Sequence, residues 1–137
     1  MENAMDENMR ISPIGVIRSP LTDPGDAPKQ GSEAAIEGKL VVDESYRDGL
    51  LGLQPGQKAV ILYWMHQAER DRLQVNPRGD LSRPLRGVFS TRSQHRPNPI
   101  AIATVEVLDI DGTTLLVRGL DAVDGTPLLD IKSTWEK

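Results

Sequence analysis

Apolar residues in this chain come in short runs, not in long helical combs. ISPIGVIR (11–18) and GKLVVD (38–43) are rich in β-branched residues and bounded by Gly, Pro or Asp, which predicts strands. KAVILYWM (58–65) is a continuous apolar run of strand length, typical of a strand covered on both faces, and is expected to be central. IAIATVEVLDI and TLLVRGLD flank Asp111-Gly112, and such a pair between β-prone runs predicts a hairpin with a type I′ turn. AVDGTP reads as a further turn and LLDIK as a last short strand. Helical spacing occurs in ESYRDGLLGL, where Tyr46, Leu50 and Leu53 fall at i, i+4 and i+7, enough for one or two turns against the core. The stretch SPLTDPGDAPKQGSE between the first two strands consists largely of turn formers and predicts a long loop.

Six or more strands with little helix predict a mainly β chain: a small antiparallel barrel-like single domain with one short helix, closure removing exposed edges. Residues 1–10 are expected to be disordered or extended, and 11–137 to form the domain. With 137 residues, 38% hydrophobic and 26% charged, the chain suits one modest core. The absence of cysteine excludes disulfide and thiolate chemistry. With two histidines, His66 and His95, a zinc site would need carboxylates, and no metal is expected. MENAMDENM is acidic, unlike a secretory leader, and no apolar run is long enough to span a bilayer, so a cytoplasmic protein without membrane contact is expected. Neither a G-x-G-x-x-G turn nor a Walker-type loop is present, which leaves function to loops on the scaffold.

Charge adds a local feature. The net charge is −4, yet Arg78, Arg83, Arg86, Arg92 and Arg96 face a single acid, Asp80, in their stretch. Composition alone allows either a solvated loop or an anion-binding patch. Pro97-Asn98-Pro99 follows directly and fixes the backbone, as a stiff turn or as a preorganised wall. His66 and Gln67 sit at the exit of the apolar run, where a histidine satisfied by backbone in the core is the plain alternative to a ligand contact. Asp121 and Asp124 could cap a turn. Asp130, among Leu128, Leu129 and Ile131, needs a partner if it points inward.

GVFSTRSQHRPNPIA followed by GLDAVDGTPLLDIK closely resembles the hallmark of the TsaA-like, or TrmO, family, GVFATRSPHRPNPIG and then LDxxDGTPxLDIKPY. IGVIRSP (14–20), APKQG (27–31) and YWMHQ (63–67) resemble its opening strand, its PRQ loop and its FHQ segment. The chain departs from the pattern at Ala101, usually glycine, and at Lys29, usually arginine. PGQKA (55–59) stands where a Phe-Ser-His-type segment is common, and many bacterial relatives continue beyond KSTWEK into an extra domain.

The resemblance implies a β-barrel methyltransferase that uses S-adenosyl-L-methionine, works as a homodimer, and methylates threonylcarbamoyladenosine beside the anticodon of tRNA. Carried over by position, it implies cofactor contacts from Gln30, Gly31, His66, Gln67 and Thr104, and from the backbone of Leu120, Asp121, Ala122 and Val123. Arg92, His95 and Arg96 are assigned to the nucleoside and its phosphates. By residue chemistry, Asn98 and Asp130 are the candidates to orient or deprotonate the acceptor nitrogen. A methyltransferase of the same fold acting on a small metabolite or another RNA, and a non-catalytic cofactor-binding module, are the alternatives.

Overall fold

The computed structural model describes residues 8–22 and 36–134. The first seven residues of the expected N-terminal extension, most of the long loop, and Gln30 and Gly31 lie outside the described residues. Eight strands follow in order: β1 (Gly15–Arg18), β2 (Glu37–Val42), β3 (Lys58–Trp64), β4 (Gln74–Val75), β5 (Arg86–Gly87), β6 (Ile100–Asp111), β7 (Thr114–Arg118) and β8 (Thr126–Ser133). Six of them close an antiparallel barrel in the order β1-β2-β7-β6-β3-β8, and β4 pairs with β5 as a separate ribbon.

The barrel interior explains the β-branched runs. Ile17, Leu40, Ile61, Val105, Val107, Leu115, Val117 and Leu128 project inward and are fully or almost fully buried. Each such side chain contributes roughly 1.5–3 kcal/mol through loss of apolar surface to water. Strand β3 is central as expected, between β6 and β8. Its burial alternates, however: Ala59, Ile61 and Tyr63 are buried, and the residues between them are half-buried. A barrel wall has one interior, so the run is covered fully on one face only.

Two bulges set which residues face inward. Opposite β7, strand β6 steps from Val107 to Asp109, leaving Leu108 extra. Opposite β3, strand β8 steps from Leu128 to Asp130, leaving Leu129 extra. One inserted residue reverses the alternation beyond it. Leu128 is therefore inside, Ile131 packs on the same core, and Asp130 between them faces out.

Two local expectations are corrected. Asp111 pairs with Thr114, so the β6–β7 turn is centred on Gly112-Thr113 and not on Asp111-Gly112. Gly112 has φ of 63°, while Arg78 is the single non-glycine residue with positive φ among the described residues. That combination fits a type II′ turn, since type I′ requires positive φ at both central positions. The short helix, Glu44–Leu50, is of the 3₁₀ kind, N-capped by Asp43. With three residues per turn the i, i+4, i+7 comb does not share a face: Leu50 and Leu53 pack on the core, and Tyr46 is exposed.

Antiparallel neighbours are commonly joined by a few residues. Here Trp64 and Ile100 are cross-strand partners, yet residues 65–99 intervene, carrying the β4–β5 ribbon. This excursion forms one side of the site described below. Among the described residues, no helix is long and apolar enough to cross a membrane.

Candidate functional site

At the end of the barrel where β3 finishes and β6 begins, the excursion and the barrel rim enclose a cleft of 1310 Å³. Its floor comes from Tyr63, Ala101 and Ala103, and from Asp121, Ala122 and Val123 on the β7–β8 connection. Its wall carries Arg72, Arg78, Arg83, Arg86, Arg92 and Arg96, with Asp121 the one carboxylate in the lining among the described residues.

The wall is stiffened by its own polar groups. The Thr91 hydroxyl donates to the Val88 carbonyl (2.9 Å) and accepts from the Ser93 amide (3.1 Å). The Ser93 hydroxyl in turn accepts from the His95 amide at 3.1 Å, giving two successive hydroxyl-closed turns. Arg96 donates through Nη1 to the carbonyls of Ser93 (2.9 Å) and Thr91 (3.2 Å), which ties the loop from within. His95 Nδ1 accepts from the Glu69 amide at 3.1 Å, so the neutral ring carries its hydrogen on Nε2. Pro99 is buried, and its carbonyl accepts from the Met65 amide at 2.8 Å.

The cations differ in what they already hold. Arg72 pairs with Glu69 at 2.8 Å and Arg83 with Asp80 at 3.5 Å. Arg86 and Arg92 are exposed and have no ion pair or hydrogen bond among the described residues. On the floor, the Tyr63 hydroxyl donates to Asp121 Oδ1. Burial, and then the adjacent Asp121 charge, push the Tyr63 phenol well above its ordinary range, so it stays a protonated donor.

Of the residues singled out in the sequence, the structure brings His66, Gln67, Thr104, Asp121, Ala122, Val123, Arg92, His95 and Arg96 to this one cleft. His66 is exposed at the strand exit, not buried in the core. Three others lie elsewhere. Leu120 is fully buried in the core, and its amide donates to the Ile36 carbonyl at 3.1 Å. Asn98 is exposed outside the lining, its Oδ1 accepting from Arg70 at 3.4 Å. Asp130 lines a second cavity of 620 Å³ at the opposite end of the barrel, beside the 3₁₀ helix, and pairs with Lys132 at 3.0 Å. The Leu129 bulge is the reason, because it turns Asp130 outward.

Sequence reasoning passed over Tyr63 and Arg72. Tyr63 was hidden in an apolar run, although an inward tyrosine needs a partner for its hydroxyl. Arg72 stands in ERDR among acids, where charge counting cancels it. No group of three or more His, Asp or Glu able to hold a metal occurs among the described residues.

A barrel with an arginine-walled cleft at one rim defines a class of protein that is matched by known sequences and structures. The chain belongs to the tRNA-methyltransferase O N-terminal domain family, whose profile matches residues 16–137. It is 47% identical over 131 residues to a probable S-adenosyl-L-methionine-binding protein of Methanothermobacter thermautotrophicus, covering 96% of this chain and 93% of that one. It is 44% identical over 124 residues to an S-adenosyl-L-methionine-binding protein of Archaeoglobus fulgidus, covering 90% and 88%. The crystal structure of TrmO from Pseudomonas aeruginosa superposes with a TM-score of 0.75 at 33% identity, covering 96% of this chain and 57% of that chain. The present chain thus spans little more than half the length of the solved TrmO.

Proposed function

We propose that the chain is an S-adenosyl-L-methionine-dependent methyltransferase whose acceptor is the exocyclic nitrogen of threonylcarbamoyladenosine beside the anticodon of tRNA. The observation that carries this reading is the union, in one cleft, of a small-residue floor bearing a carboxylate and a wall of six arginines. The floor fits the adenosyl cofactor: Ala101, Ala103, Ala122 and Val123 offer apolar surface, and His66, Gln67 and Thr104 offer polar edges. His66 and Gln67 make no hydrogen bond or ion pair among the described residues and are available to a ligand. Held there, the cofactor would supply an electrophilic methyl group on a sulfonium.

The protein's part is positioning. The two hydroxyl-closed turns and Pro97-Asn98-Pro99 hold the wall in place before the acceptor arrives, which favours in-line transfer without a strong base, the proton of the acceptor nitrogen passing to solvent in the open cleft. Arg86 and Arg92, whose side chains are not engaged among the described residues, suit the phosphates and the threonyl carboxylate, each of which a guanidinium can hold bidentately. His95, also in the lining, would offer its Nε2 hydrogen to the same acceptor.

The reading includes a homodimer in the cytoplasm. Leu73, Leu81, Leu85 and Phe89 on and beside the β4–β5 ribbon are strongly exposed, Leu81 at 85% and Phe89 at 78%. A second copy of the chain would cover such a surface.

Incubation with methyl-labelled cofactor and total tRNA, followed by nucleoside separation, tests the acceptor. Label in N6-methylated threonylcarbamoyladenosine is expected. Label confined to small metabolites or to another nucleoside would replace this acceptor, and cofactor binding without transfer would replace the catalytic role.

A further inference from the structure

We propose that the Asp121 carboxylate, held in place by Tyr63, is the counter-charge that admits a cationic methyl donor to an arginine-lined cleft and distinguishes the donor from its spent form. The inference rests on the cofactor half of the proposed function and is independent of the acceptor. An arginine wall suits a polyanion, but it opposes entry of a sulfonium, because like charges repel across a cleft only partly open to water. Among the described residues, Asp121 is the one acid in the lining that can offset this.

The neighbourhood of Asp121 matches the role. Its Oδ1 accepts from Tyr63, whose ring is only 5% exposed and anchored among the core residues. Its Oδ2 has no hydrogen bond or ion pair among the described residues, and the residue is part-exposed toward the cleft. Asp124, three residues on, shows the contrasting use. Its Oδ1 accepts from the Ser19 amide at 3.1 Å and its Oδ2 lies 3.6 Å from Arg18, so it ties the β7–β8 connection to the end of β1. Two aspartates in one short turn thus divide the work: Asp124 fastens the loop, and Asp121 presents a charge.

Discrimination follows from the chemistry of methyl transfer. Loss of the methyl group turns the sulfonium into a neutral thioether, and the attraction to Asp121 is lost with the charge. The wall then acts on a product with no compensating positive charge at sulfur, which favours exchange for fresh donor. Tyr63 is a positioning residue in this scheme: its hydrogen bond to Oδ1 restrains the carboxylate and leaves Oδ2 for the donor.

Calorimetric titration of the purified chain with S-adenosylmethionine and, separately, S-adenosylhomocysteine tests this without RNA. Asp121→Asn is expected to weaken the donor about tenfold and the spent cofactor less than about twofold, the loss typical of a bond to a charged group. Tyr63→Phe, which keeps the ring in the core, is expected to shift the same ratio by about threefold. In the wild type the preference should narrow between low and high salt, since screening acts on charge and not on shape. Equal weakening of both ligands, or an unchanged ratio in both variants, would overturn the proposal. Should Asp121→Asn fail to fold, an unchanged ratio in Tyr63→Phe overturns it alone. If the wild type binds neither ligand, the cofactor reading itself falls.

Discussion

The Arg70 guanidinium lies over the Trp64 indole, 5.3 Å from the ring centroid, and from there donates through Nε to the Pro97 carbonyl at 2.7 Å. One side chain thereby joins the last residue of β3 to the rigid Pro-Asn-Pro segment. Arg70→Ala is expected to cost about 1 kcal/mol, which lowers Tm by about 3–5 °C in a domain of this size. Methyl transfer should fall about tenfold with cofactor affinity unchanged, because the wall loses alignment and not contact with the donor. Arg70→Lys, which keeps the charge over the ring but not the planar fork, should fall between. Scanning calorimetry with single-turnover assays separates the two effects.

Arg92 and Arg96 stand four residues apart in the same motif and should respond in opposite ways. Arg96 holds two loop carbonyls, so Arg96→Ala should lose about 1–2 kcal/mol of stability. Arg92 holds nothing within the described chain, so Arg92→Ala should leave stability within about 0.5 kcal/mol. Its cost should appear instead in tRNA binding, as a log–log salt dependence shallower by about one. Filter binding over a salt series, beside thermal melts, decides both.

Asp130 sits at the far end of the barrel from the arginine wall. Asp130→Asn should therefore keep turnover within about twofold and lose only an exposed ion pair to Lys132, worth about 0–1 kcal/mol. Steady-state kinetics of the variant are sufficient to show it.

Gly15 opens β1 where a side chain has no room: a Cβ there would meet the Val41 carbonyl oxygen at 2.2 Å. The obstacle is backbone of the paired strand β2, which cannot move aside without opening the barrel. Gly15→Ala is expected to cost about 2–3 kcal/mol. A lowered denaturant midpoint at unchanged m-value would record it.

The Tyr63 phenol, buried and facing Asp121, titrates above its ordinary value of 10.0. In the unfolded chain a tyrosine loses its proton near pH 10. Above that pH the unfolded state binds fewer protons than the folded one, so stability contributed below pH 10 is lost as pH rises toward the folded value. Wild-type stability should therefore decline from pH 10 to 11, and Tyr63→Phe should decline less. Urea titrations at several alkaline pH values provide the comparison.

The barrel was legible because β-branched runs with turn residues between them admit few arrangements, and IAIATVEVLDI with its partner strand is nearly unambiguous. The bulges were not. An extra Leu108 or Leu129 leaves composition and hydrophobicity unchanged while reversing every side chain beyond it, which is why Asp130 could be taken for a buried acid. The arginine patch was legible as charge. Which guanidinium turns back onto its own loop was not, since Arg92 and Arg96 belong to one motif and differ only in what they meet in space. Asp121 was visible as part of a turn and, through the family resemblance, as a backbone contact to the cofactor; the place of its carboxylate was not, because that depends on Tyr63, far away along the chain and adjacent in the barrel.

Trp64 and Ile100 sit opposite one another in the wall, so the stretch between them leaves the barrel and returns to it at one point, fastened there by buried Pro99. Drift within residues 68–91, which carry four of the six cleft arginines, is expected to change what the wall accepts while the barrel and the residues proposed to hold the donor stay as they are.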